Sequence, residues 1–402
     1  MTELPIRTAT AADWPAVEEL RGLVSHRDWD GSDEISRALY EPDRGLVVED
    51  TGRIVGHACA YTRTLSVPGG TLPAAHVTKV GVAPTHTRRR LLTRMMHRQL
   101  AELPEPVAVL WATEARIYGR FGYGIATRRY SFTIDTREVR LPAPREPGRL
   151  RMATVAEARP DFQRVYEAVR VHRPGWSDRD DRWWARVLAD PPAAREGATA
   201  LRVTLHEGPD GVDGYALWRV RNEWSATGPQ GEVRVKEVVA AGLDAYLSLW
   251  RFLLSVDLTR SVTYWMGGPD EPLLHLVDEP RRLGVTVADG LHVRIVDLPA
   301  ALTGRRYAVP VDVVLEVTDE LRPGNAGRWR LTADGDAVAC ERTTDPADLA
   351  CDIADLGAAY LGGVTLAALA AAGRVAELRA GTLARASAAF AWHPAPYGLE
   401  IF

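Results

Sequence analysis

The chain reads as a mixed α/β protein of more than one domain, and three features of the sequence predict this. A buried-strand pattern over residues 77–82 leads directly into an amphipathic helix pattern, with Leu91, Leu92, Met95, Met96 and Leu100 at helical spacing. The same strand-then-helix order returns at residues 233–239 and 243–254. Between the two, Pro142, Pro144 and Pro147 stiffen a linker. At 402 residues the chain exceeds one ordinary domain and predicts two or three.

The first unit opens with a strand at Ile6 and Arg7, and Thr10 or Asp13 can cap a helix carrying Val17 and Leu20. Residues 46–48 and 54–61 form a hairpin across Asp50-Thr51-Gly52-Arg53, where the glycine suits the turn. Strand 77–82 and its helix follow, then a short apolar strand at 107–111. The second unit has a strand near Leu150, an amphipathic helix around 162–169 and the pair Trp183-Trp184. In the third, 311–317 alternates as a strand, Gly324-Asn325-Ala326-Gly327 makes a turn, and 329–331 and 337–340 read as strands. Helices are expected at 345–361 and 365–371.

Composition excludes several functional classes. A net charge of −4 argues against nucleic-acid binding, which wants a basic face. Cys59, Cys340 and Cys351 lie far apart and imply neither a disulfide framework nor a zinc site. His76, His86 and His97 lack metal-ligand spacing, so no metal is assigned. Residues 356–373 carry no charge but are rich in Ala and Gly, and predict a packed helix pair rather than a membrane span. Met1-Thr-Glu-Leu-Pro-Ile-Arg lacks an apolar signal core, so a cytoplasmic protein is expected.

The chemistry concentrates after strand 77–82. A helix N-terminus offers unpaired N–H groups and a positive dipole end, which suits a pyrophosphate. Arg88, Arg89 and Arg90 add cationic forks there, in a chain with only two lysines, Lys79 and Lys236. Downstream runs Ile117-Tyr118-Gly119-Arg120-Phe121-Gly122-Tyr123-Gly124. With Val80-Gly81-Val82-Ala83-Pro84 upstream, this pattern resembles the GNAT N-acetyltransferases. The whole chain is similar to their enhanced intracellular survival (Eis) branch, which ends in phenylalanine, as Phe402 does here.

The resemblance implies tandem GNAT-like acetyltransferase domains followed by a sterol-carrier-like C-terminal α+β domain. The divisions are 1–141, the catalytic domain; 148–300, a second GNAT-like domain without a cofactor motif; and 301–402, a domain delivering the C-terminus. It implies acetyl-CoA as co-substrate, with the thioester held by Val80, Gly81 and Val82. The phosphates would lie on Arg88, Arg89, Arg90, Leu91, Leu92 and Thr93, with Thr113 and Glu114 nearby. Arg90 stands where the Eis branch has glycine; a helical first turn does not itself demand positive φ, so its N–H is expected to stay available.

Tyr118 matches the family's general acid and the terminal carboxylate of Phe402 its base. A phenol of ordinary pKa protonates a thiolate only uphill, so acidification by its surroundings would matter. The expected acceptor is an amine-containing small molecule, aminoglycoside-like or a polyamine, with Trp29, Asp30 and Glu400 as its partners; Asp33 and Glu34 add negative charge. The family likeness also implies a homo-oligomer, a homohexamer. The competing readings are a GNAT acting on protein lysines and a non-catalytic CoA- or lipid-binding protein.

Overall fold

The computed structural model describes residues 4–28, 33–146 and 148–402. The first unit contains β1 (Ile6–Thr8), α1 (Trp14–Ser25), α2 (Glu34–Leu39), β2 (Gly45–Asp50), β3 (Arg53–Val67) and β4 (Gly70–Val82). It continues through α3 (Leu91–Glu102), β5 (Val107–Trp111), the one-turn α4 (Ala115–Tyr118) and β6 (Gly124–Ile125). The expected hairpin turn is present: Asp50 pairs with Arg53, and Thr51 and Gly52 take φ of 48° and 79°.

The proline linker does not mark where the sheets divide. The first seven-stranded sheet has the order β1-β2-β3-β4-β5, then Leu291–Ile295, then β6. The second takes strand β7 (Arg128–Asp135), from before the linker, between Thr286–Asp289 and Thr259–Gly267. Each sheet thus holds a strand from the other side of the linker, an exchange that local patterning cannot reveal because alternation along a strand does not name its partner.

The third unit is a five-stranded sheet with helices. Residues 349–352, expected to be helical, form the strand Leu349–Asp352, parallel to Val311–Thr318. Asp352 then caps the helix Ile353–Ala359. A parallel partner more than thirty residues away overrides local helix preference here. The uncharged stretch forms two short helices, Ile353–Ala359 and Leu366–Ala371, and no helix among the described residues is long and apolar enough to cross a membrane. Cys59, Cys340 and Cys351 are all buried and free.

Alternation along β4 sets the position of the site. Ala75 and Val77 face α3, packing with Met96 and Leu100. Ala74 joins the core shared with the third unit, and His76 and Thr78 meet the chain's last residue. The C-terminal tail runs from the third unit across the first two. Tyr397 and Leu399 are buried in the second unit's core, and Gly398 crosses Trp111 at the end of β5. An added Cβ there would lie 2.7 Å from the indole, so only glycine lets the tail pass so closely.

Candidate active site

β4 and β5 pair in parallel only from Ala74–His76 against Val107–Val109. Beyond that point β4 runs on to Val82 and β5 to Trp111 without pairing. The gap opens into a cavity of about 930 Å³. A bulge sharpens the separation: two residues of β4, Lys79 and Val80, oppose the single Ala58 of β3, and Lys79 takes φ of 52°. On the β5 side of the gap, the edge of β4 has no strand partner beyond His76 among the described residues.

The N-terminus of α3 opens into the same cavity, with Leu91, Leu92 and Thr93 in its wall beside Val80, Gly81 and Val82. The local path differs from the expected helical entry. Arg88 and Arg90 both adopt left-handed backbone, with φ of 64° and 62°, and Arg90 is the helix N-cap. An arginine therefore occupies a conformation that normally favours glycine, at a cost of about 1–2 kcal/mol. Arg88 and Arg90 line the cavity while exposing their side chains. Arg89 is exposed and outside the lining.

Thr113, Glu114 and Tyr118 form the opposite wall. Glu114 is the N-cap residue of α4 and pairs with Arg116 at 3.6 Å. Burial pushes the Tyr118 phenol up to about 12. Among the described residues no cation offsets it, and the neighbouring ring is Tyr123, 5.9 Å away and edge-on. Tyr118 stays protonated at neutral pH and can donate a hydrogen bond. Its surroundings weaken it as an acid, so full proton transfer to a thiolate is more uphill than for an ordinary phenol.

Phe402 lies in the wall of this cavity, more than 280 residues along the chain from Tyr118. Its terminal carboxyl oxygen accepts a hydrogen bond from Thr78 Oγ1 at 3.0 Å. Its ring sits 4.5 Å from that of His76, whose Nε2 contacts Ser177 Oγ at 2.6 Å. Burial lowers His76 to about 3, so this imidazole is neutral packing for the tail rather than a base.

Glu400 does not reach the cavity. Its carboxylate accepts hydrogen bonds from Arg63 Nη1 at 2.5 Å and Arg179 Nε at 2.8 Å. Arg179 in turn grips Glu237 through both terminal nitrogens, at 3.0 and 2.8 Å, and Glu237 also accepts a hydrogen bond from the Tyr215 hydroxyl. Burial alone would raise the Glu400 pKa, but the two guanidiniums hold it down to about 2. Both oxygens are committed internally, so Glu400 anchors the tail instead of binding an acceptor. Trp29 and Asp30 lie outside the described residues. Of the other two acids, Asp33 caps α2 through Ser36 N, and Glu34 begins that helix.

A parted strand pair, a helix N-terminus and a phenol are the parts of a GNAT acyl-transfer cleft, and sequence comparison agrees. Residues 5–126 match the acetyltransferase (GNAT) domain family, and residues 175–295 match a second acetyltransferase (GNAT) domain family. Residues 298–398 match the sterol carrier protein domain family. The chain is 36% identical to the N-acetyltransferase Eis of Mycobacterium tuberculosis over 402 aligned residues, covering 95% of each protein. The chain belongs to the Eis family of GNAT N-acetyltransferases. An uncharacterized N-acetyltransferase of Streptomyces avermitilis is 45% identical, over 90% of each chain. The solved structure of Eis1 from Mycobacterium abscessus superposes with a TM-score of 0.85 at 34% identity, covering both chains fully. The protein is therefore an acetyltransferase with two GNAT domains and a sterol-carrier-like third domain.

Several residues of this Eis-family cleft escaped the sequence reading. Lys79, Arg21 and His57 line the cavity, and Glu18 stands behind Lys79. His57 Nδ1 lies 2.9 Å from the Lys79 carbonyl and Nε2 lies 3.2 Å from the Tyr40 hydroxyl. Burial lowers this imidazole to about 4, so it is neutral; Nδ1–H donates to the carbonyl and Nε2 accepts. Arg63, Arg179 and Glu237 were missed because a buried ion network joins residues far apart in sequence. Only Lys79 left a trace, as a lone lysine inside an apolar strand of an arginine-rich chain.

Proposed function

We propose that this N-acetyltransferase moves the acetyl group of acetyl-CoA directly onto an amine of a cationic small molecule, aminoglycoside-like or a polyamine. The observation carrying this reading is the convergence of Tyr118, the Phe402 carboxylate, the parted edge of β4 and the α3 N-terminus on one cavity. The residues present fit the coenzyme. The first-turn N–H groups of α3 and the Arg88 and Arg90 side chains would hold its phosphates. The open edge of β4 at Val80, Gly81 and Val82 would pair with its amide arm and polarise the thioester carbonyl.

Bound acetyl-CoA supplies an activated acyl thioester. The Phe402 carboxylate, held by Thr78, attracts the acceptor ammonium and takes its proton directly or through water. The amine nitrogen then bonds to the acyl carbon as the carbon–sulfur bond breaks, and its surplus proton passes to the thiolate through water, leaving amide and thiol. Tyr118 donates a hydrogen bond to the departing sulfur. Its pKa near 12 lies about 3.5 units above that of an ordinary thiol, so it stabilises developing negative charge rather than surrendering its proton early. The family likeness supports the same division of labour among 1–141, 148–300 and 301–402, and a homohexameric assembly.

The test is release of free thiol from acetyl-CoA against a panel of aminoglycosides, di- and triamines and lysine peptides. Release with the first two groups is expected. Release with lysine peptides alone would transfer the acceptor to proteins, and no release with any amine would contradict the reading.

A further inference from the structure

Lys79 is one of two lysines in the chain, and it lies in the wall of the cleft. It is the bulge residue of β4, between Thr78, whose hydroxyl holds the terminal carboxylate, and Val80, at the start of the expected thioester contact. Its Nζ stands 2.7 Å from Glu18 Oε1 and 5.1 Å from the centre of the Trp14 ring. Glu18 is fully buried and is also held by Arg21 at 2.5 Å. The chain has thus built an amine and an adjacent proton acceptor into a cavity fitted for acyl transfer.

We propose that Lys79 is a self-acetylation site, whose ε-amine takes the acetyl group of acetyl-CoA when no acceptor occupies the cleft. The inference rests on the acetyl-transfer reading above. Glu18 accepts one ammonium proton, and the freed nitrogen bonds to the acyl carbon. The carbon–sulfur bond breaks, Tyr118 supports the leaving sulfur, the nitrogen gives up its second proton to the thiolate so that coenzyme A departs as the thiol, and Glu18 releases its proton to solvent. Burial lowers the Lys79 pKa, which increases the neutral fraction available to react. The product amide carries no charge, so Glu18 is left with Arg21 as its remaining cation. Modification therefore makes the wall of the cleft around Lys79 less positive by one charge.

Lys236 provides a control within the molecule. It lies in the second sheet on strand Gly231–Ala240, and its Nζ donates to the Val187 carbonyl. The full-length enzyme is incubated with acetyl-CoA alone and read by intact mass and peptide mapping, alongside thiol release with a triamine acceptor. One acetyl group per chain is expected on Lys79 and none on Lys236. Lys79→Arg is expected to gain none, and Tyr118→Phe is expected to slow the modification by about 100-fold. Excess triamine is expected to suppress it.

An enzyme that acetylates the triamine but leaves Lys79 unmodified overturns the proposal and spares the acetyl-transfer reading. Equal labelling of Lys79 and Lys236, or labelling unchanged by Tyr118→Phe, reveals uncatalysed chemistry and also overturns it. Absence of both thiol release and modification overturns the two together.

Discussion

The two GNAT-related sheets use the same device with opposite outcomes. In the first, parallel strands β4 and β5 part after His76 and Val109, leaving a cavity of about 930 Å³ in front of an arginine-flanked helix. In the second, the parallel strands Gly231–Ala240 and Thr259–Gly267 stay paired up to Val235 and Tyr264, then part in turn. There the space beyond is met by protein. Tyr397 packs beside Gly268, and Glu237, past the parting point, is bound by Arg179, which also holds Glu400. The helix that follows begins at Gly242 with no arginine in its approach. One splay opens into a cavity and the other anchors the tail whose last residue lines that cavity. A parted strand pair is therefore neutral as to function; what enters it, and the charge at the following helix, decide its use.

The sharpest way to break this comparison is to dismantle the socket. Arg179→Ala leaves Glu237 and Glu400 buried without their shared cation and is expected to cost about 3–5 kcal/mol in urea unfolding, with acetyl transfer falling in parallel. Activity untouched by that substitution would separate the anchor from the active cleft.

A gentler probe follows from proton linkage. The Glu400 pKa is held at about 2 in the fold against an ordinary value of 4.5. A depressed carboxylate contributes stability that is fully present above the unfolded pKa and is lost as pH falls through the folded one. The gap in unfolding free energy between wild type and Glu400→Gln is expected to be about 3 kcal/mol at neutral pH and to close between pH 4.5 and about 2. A gap independent of pH would mean that the carboxylate charge is not what ties the tail.

In the open cleft, Tyr118→Phe removes the hydroxyl proposed to support the leaving sulfur and is expected to lower kcat about 100-fold with little effect on the KM for acetyl-CoA. Initial rates at saturating acceptor provide the check. The smallest effect concerns the Arg88–Arg90 turn. Arg90→Gly keeps the left-handed path of φ 62° but deletes the guanidinium. Stability is expected to change by less than about 1 kcal/mol, because relief of strain and added chain entropy offset each other. Acetyl-CoA affinity, by calorimetry, is expected to fall about tenfold with loss of one charge-assisted contact. Equal affinity would mean the turn binds through its backbone alone.

What the sequence made legible was local or carried by a contiguous pattern. Strand 77–82 and the α3 face were read because their periodicity lies within a few dozen residues, and the Tyr118 segment because it resembles a contiguous GNAT motif. Phe402 was read only because a family resemblance attached meaning to a terminal residue. The exchanged strands β7 and Leu291–Ile295, the parallel strand Leu349–Asp352 and the Arg63–Glu400–Arg179–Glu237 network depend on pairings between distant segments. No residue spacing encodes those partners. Glu400 was misread for the same reason: an acidic residue near a site looks available until its two arginines are found. The positive φ at Arg88 and Arg90 was hidden as well, because arginine gives no sign of a turn that glycine would have announced.

The most direct measurement compares the intact enzyme with forms lacking Phe402 or extended beyond it, reading turnover and acetyl-CoA binding separately. Loss of the carboxylate from beside Thr78 is expected to lower turnover at least about 100-fold while acetyl-CoA binds as before. Full turnover by the extended enzyme would contradict the claim that the chain's last carboxylate acts in the first domain's cleft.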